Sequence, residues 1–230
     1  MEKFLAWVQQ LRFDAVWQTA ILVAASLLCI TFHETCHGLA AYWLGDPTAK
    51  RAGRLSLNPL KHVDLMGLVM MAVCHFGWAK PVPVNMRNFK KPKAGMAITA
   101  LAGPVSNVLL AYLAVLGYSA CYYWNAVKGS EVAWYFLLFF YYLEMISAGL
   151  AVFNLFPIPP LDGSKVLFAL LPDEWYGKLM RYERWGMLLL AALLLTGVLD
   201  TPLGVLRDGL TDGLFAIGTW PFDLLMKFSA

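Results

Sequence analysis

The residues best equipped for chemistry are His33-Glu34-Thr35-Cys36-His37. On a helix, residues i and i+4 face the same way, so His33 and His37 can present two imidazoles to one metal ion with Glu34 beside them. A bound zinc ion lowers the pKa of its water to about 7, and an adjacent carboxylate can take that water's proton as it attacks a carbonyl carbon. The five-residue pattern is short, and in a soluble chain such histidines are often solvated or packed. Here it lies two-thirds along an apolar run, 16–44, where a charged side chain costs at least ~2.5 kcal/mol and marks function. A catalytic zinc needs a third protein ligand and an open fourth position. Asp162 is the best candidate, in Asn154-Leu155-Phe156-Pro157-Ile158-Pro159-Pro160-Leu161-Asp162-Gly163, where three prolines forbid regular helix at the end of another apolar run. Broken backbone at membrane depth is tolerated only against protein or a water-filled cavity.

The elements that must position these residues belong to a membrane. The 230-residue chain is 60% hydrophobic and 14% charged, against roughly a quarter charged in soluble domains. Apolar runs recur at 16–44, 94–123, 132–156 and 185–199, and about 20 apolar residues cross a bilayer as a helix. The expectation is an all-α polytopic membrane protein of about five to six transmembrane helices, one domain over 1–230 with its core at about 16–171 and C-terminal helices at about 183–227. The first run lacks a small-residue cleavage signature and reads as retained helix. Cys29, Cys36, Cys74 and Cys121 form no Cys-x-x-Cys pair, which argues for free thiols. A net charge of +3, with the basic residues clustered by loop, excludes nucleic acid as a partner.

Between Lys50 and Lys93 nine basic residues stand against one acid, Asp64, which places this region on the cytoplasmic side. Its apolar stretch 65–78 is too short to span and reads as a re-entrant segment. The flanks, 50–57 and 80–85 with Pro81-Val82-Pro83-Val84, suit extended strands, so a small membrane-surface β-sheet is expected, whose edge could accept an extended peptide. The first helix then runs inward, the second outward and the third inward, gathering the polar motifs in the cytoplasmic half. The tail 202–230 reads as a further span or a surface helix.

The two polar segments together resemble the site-2 protease family of intramembrane metalloproteases, with its His-Glu-x-x-His helix and later Asn-x-x-Pro-x-Pro-x-Leu-Asp-Gly segment; every fixed position is matched. Gly45-Asp46-Pro47-Thr48, Leu57-Asn58-Pro59, the stretch 77–85 and Ala102-Gly103-Pro104-Val105-Ser106-Asn107 extend the resemblance over about 21–171. Met86 stands where related sequences often show proline. The resemblance implies one catalytic zinc held by His33, His37 and Asp162, with Glu34 as catalytic base. It also implies a minimal form without PDZ or CBS domains, in the cell (inner) membrane with its active site toward the cytoplasm. The partners it implies are a transmembrane protein substrate, the lipid bilayer and a second copy in a homo-oligomer. Asn107 and Asn154 are candidates for oxyanion or substrate-backbone contacts, or for bridging broken helices.

His62, in a basic loop, and His75, in the apolar dip, have no neighbouring ligand at helical spacing and are expected to be structural or solvated. Glu144, an acid within an apolar run, calls for a partner, with Lys165 or Arg184 as candidates. Two other readings are a prenyl-protein protease, disfavoured by an aspartate third ligand, and a non-catalytic zinc-binding scaffold, disfavoured by an intact Glu34.

Overall fold

The computed structural model describes residues 13–64, 66–67, 79–128, 131–181 and 183–229. Three long helices form the centre: α1, Phe13–Trp43, whose last turns carry the histidines, then, after the short helix α2, Thr48–Arg51, come α3, Pro92–Lys128, and α4, Glu131–Leu155. They meet through small side chains, Ala25 and Cys29 on α1, Ala114 on α3, with Leu110 and Leu143 filling the gaps. In lipid no hydrophobic force drives helices together, so close backbone approach of this kind supplies the association through packing. Gly117 shows how tight it is, since a Cβ there would stand 2.5 Å from the Phe140 ring. The chain then turns back through α5, Asp162–Ala169, α6, Asp173–Arg181, and α7, Glu183–Leu195, into the long C-terminal helix α8, Asp200–Ser229.

α1, α3 and α4 are each long and apolar enough to cross a membrane, over Val16–Trp43, Pro92–Asn125 and Val132–Leu155. The expected five to six crossings are corrected, among the described residues, to three, or four if α7 and α8 count as one span bent by 86°. The run at 185–199 fails as a separate crossing because α7 stops after 13 residues, and Gly197, with φ +69°, turns the chain. α8 runs antiparallel to α4. Leu199 and Leu203 pack near Phe153 and Phe156, whereas Thr211, further along, donates to Glu144 at 2.8 Å. Thr211 is therefore the partner of buried Glu144; Lys165 turns instead to Asp162, and the Arg184 side chain lies outside what is described.

The expected surface sheet is also corrected. Among the described residues there is no strand, only an isolated bridge between Val63 and Ala79, and 50–57 opens inside a helical turn. The reason is that beyond the Lys80 N–H, which bonds the His62 carbonyl, side chains and not a neighbouring strand take backbone groups of the 80–85 segment. Buried Arg54 donates to the carbonyls of Lys61, Lys80 and Pro81, Glu34 accepts from Val82 N–H, and Asp46 accepts from Asn85 N–H. Pro81 and Pro83 have no N–H to offer a ladder. The re-entrant stretch 65–78, except Met66 and Gly67, and with it Cys74 and His75, lies outside the described residues. His62 is fully buried, bonded through Nε2 to the Ser56 carbonyl at 2.8 Å, a structural role as expected.

Candidate metal centre

α1 ends at Trp43, and two residues on Gly45, whose φ of +104° is one that L side chains rarely adopt, releases the chain into Asp46-Pro47-Thr48. One to three turns before that end, His33 and His37 project from one face toward α3 and α5. The imidazole Nε2 atoms are 2.9 Å apart. The Asp162 Oδ2 atom lies 3.2 Å from the first and 3.0 Å from the second. All three residues are buried.

Asp162 reaches this point because the Pro-rich segment 157–161 separates α4 from α5 and makes Asp162 the first residue of α5, with its carboxylate against His33 and His37. Gly163 has no room for a side chain, since a Cβ would stand 2.1 Å from the Leu155 carbonyl. Gly103 does the same on α3. A Cβ there would come within 2.4 Å of His37 Nε2 and 2.6 Å of His33 Cε1, so its absence lets the helix lie against both rings. His37 is fixed in rotation by its Nδ1, which donates to the Thr99 carbonyl at 2.7 Å, and His33 by contact with Asn107.

Zn–N bonds of about 2.0–2.1 Å in a tetrahedron put ligand atoms about 3.3 Å apart, so the observed separations need to open by only a few tenths of an ångström. Two neutral imidazoles and one carboxylate are also a suitable donor set for zinc. Burial alone would raise the Asp162 carboxyl, but the two imidazoles against its Oδ2 and the Lys165 ammonium near its Oδ1 outweigh it and hold the group far below the ordinary carboxylate range.

The trio borders a cavity of about 360 Å³ whose other walls include Glu34, Val82, Asn154 and Lys165. Glu34 Oε2 accepts from the Val82 N–H at 2.9 Å. Lys165 Nζ stands 3.4 Å from Asp162 Oδ1. Asn154 lines the cavity and bonds the Leu150 carbonyl through Nδ2 at 3.0 Å. Asn107 is fully buried behind His33 and does not line the cavity. The arrangement offers three ligands for a metal, a carboxylate one residue from a ligand, and polar hydrogen in the form of an amide and an ammonium group, around one space.

The sequence profile of Peptidase family M50 matches residues 21–196, a stretch that contains all three ligands and Glu34. The chain belongs to peptidase family M50. This site-2 protease family member is similar to YwhC of Bacillus subtilis, named as a zinc metalloprotease, at 38% identity over 179 residues, 76% of this chain and 80% of the relative. It is 31% identical over 205 residues to Rip2 of Mycolicibacterium smegmatis, named likewise, covering 85% of this chain and 76% of that one. MJ0611 of Methanocaldococcus jannaschii is 28% identical over 137 residues, 59% of this chain and 63% of the relative. No solved structure matches. The M50 protease is thus a zinc metalloprotease whose apolar helices make it a multi-pass membrane protein.

Four parts of the site escaped the sequence reading: the Val82 N–H, the Thr99 carbonyl, the steric role of Gly103 and the contact of Lys165 with Asp162. The first two are backbone groups that any residue supplies. Gly103 stood in a noticed motif, but nothing in the spacing says which ring it faces. Lys165, three residues after Asp162, was legible as a neighbour on the same helix.

Proposed function

We propose that this protease hydrolyses peptide bonds within or near transmembrane segments of membrane protein substrates, with zinc held by His33, His37 and Asp162. Bound there, zinc supplies Lewis acidity to a water molecule and to the scissile carbonyl. Glu34 accepts the attacking water's proton and returns it to the leaving amine. Its place on the cavity wall, one residue from a ligand, is the observation that carries this reading. The Asn154 amide, on the same wall, is placed to steady the developing oxyanion or the substrate backbone. A helical substrate shields its own peptide bonds, so it must unwind locally before this site can cut it, and the extended 81–85 segment, whose Val82 and Val84 line the cavity, offers it a partner.

The basic loops around the site support an active centre that opens toward the cytoplasm. The bilayer is the other partner, since three helices are long and apolar enough to cross it.

The test is to purify wild type and Glu34→Gln in detergent, quantify zinc, and read products from a panel of single-span substrates by mass spectrometry. Near-stoichiometric zinc in both proteins, with cuts inside the spans only for wild type, is the expected result. Equal cutting by both would remove Glu34 from the mechanism, zinc without cuts by either would favour a zinc-binding scaffold, and no zinc in wild type would sink the site.

A further inference from the structure

We infer that Asn107 is a positioning residue for the metal, the hydrogen-bond partner that holds His33 in the tautomer able to ligate. This rests on the reading that His33, His37 and Asp162 hold zinc.

His33 points Nε2 at His37 and Asp162, and its Nδ1 points the other way, to the Asn107 amide, with Nδ2 at 3.2 Å. When a neutral imidazole gives one nitrogen to a metal, its proton sits on the other, and that N–H needs an acceptor. The structure supplies this partner for His37, in the Thr99 carbonyl. For His33 the sole polar partner described at Nδ1 is Asn107.

Two observations define how Asn107 does this. As it stands, the amide donates Nδ2–H to an unprotonated Nδ1, which is the tautomer that lets His33 give its Nε2–H to Asp162. Its Oδ1, in a fully buried side chain, meanwhile has no partner. A half-turn of the amide puts Oδ1 where Nδ2 stands, satisfies that oxygen, and gives the His33 Nδ1–H the acceptor that ligation demands. An asparagine amide, with a donor and an acceptor on one carbon, can serve both tautomers from one place. The backbone under it is held as well, because Ser147 Oγ of α4 donates to the Asn107 carbonyl at 2.9 Å. Asn107 sits one helical turn after Gly103, so one face of α3 both makes room for the two imidazoles and sets the rotation of one.

This separates Asn107 from Asn154. The former lies behind a ligand and acts through it; the latter faces the space where substrate would lie.

The experiment measures zinc dissociation constants by chelator competition for wild type, Asn107→Leu and Asn107→Asp, with melting of the chelated forms to follow the fold. The leucine has similar bulk and no acceptor, and is expected to weaken zinc binding 10–100-fold. The aspartate keeps an oxygen in either amide position and is expected to restore affinity to within a few-fold of wild type. Unchanged affinity in Asn107→Leu, or equal weakening in both variants, would overturn the inference while leaving the zinc site intact. Failure of wild type to bind zinc would instead overturn the site and this inference with it. If the leucine variant does not fold, 15N spectra of histidine-labelled wild type decide: zinc-loaded His33 must carry its proton on Nδ1, shielded from exchange, and a proton on Nε2 or a freely exchanging one would refute the role.

Discussion

Asp46 shows how far a single side chain can reach in this molecule. Fully buried, its carboxylate accepts from the Thr48 backbone and hydroxyl, from Asn85 N–H and from the Asn88 amide, tying the end of α1 to the segment that lines the metal cavity. Burial alone would raise its pKa, but these hydrogen bonds outweigh that effect and lower it. A carboxyl depressed in the folded state stabilises it above the unfolded value of about 3.9, and that contribution is lost as pH falls through the folded pKa. The melting temperature of Asp46→Asn is therefore expected to lie below wild type at neutral pH, and the gap should narrow as pH falls below about 4. A gap that is independent of pH would remove the charge from the account. At Gly103 the expectation is steric. Gly103→Ala should retain helical circular dichroism and lose most zinc, because a methyl group cannot share the space of the His37 ring; full zinc occupancy would show that α3 can move aside. At this scale the sequence was informative where residue type carries the chemistry. His33, Glu34, His37 and Asp162 could be read because an i, i+4 pair and a proline-broken helix leave local marks. Val82 N–H and Thr99 C=O left none, since backbone atoms have no identity in a sequence.

Among the elements, apolar runs announced α1, α3 and α4 because burial in lipid demands composition over a fixed length. The same runs misjudged the rest. α7 has the composition of a span without its length, and α8 has the length with acids and an arginine distributed along it. The sheet failed for a different reason. Alternation at 80–85 does predict extended backbone, but extension is only half of a strand, and the second half, a partner, was supplied here by the side chains of Arg54, Glu34 and Asp46. That leaves a usable edge. Of residues 81–85, two are prolines, and the N–H groups of Val82 and Asn85 are engaged, so Val84 is left to donate to an incoming extended peptide. Val84→Pro is expected to cut substrate cleavage at least ~10-fold by loss of a ladder hydrogen bond and its neighbours' alignment, with zinc content unchanged. Undiminished cleavage would mean that substrate does not pair with this edge.

For the molecule as a whole, the direction of each helix follows from the fold once one loop is assigned a side. If 50–64 and 79–93 lie in the cytoplasm, α1 runs inward, α3 outward and α4 inward, and α8, antiparallel to α4, points outward at its end. In a cysteine-free background, a membrane-impermeant maleimide applied to intact cells should label Lys227→Cys and spare Arg51→Cys. The reverse pattern would put the metal site on the outer side. The whole assembly is also constrained by what it omits. At Gly103, Gly163 and Gly186, the smallest added side chain would strike, respectively, a ligand imidazole, the carbonyl that ends α4, and the backbone of Pro159 ahead of the Asp162 segment. Substitution tolerance should therefore trace the catalytic centre in negative. A mutational survey scoring bound zinc beside folded, membrane-inserted protein would find alanine at Gly163 and Gly186 missing from the folded pool and alanine at Gly103 kept there without its metal, so that three separated positions would outline the site before any ligand had been changed.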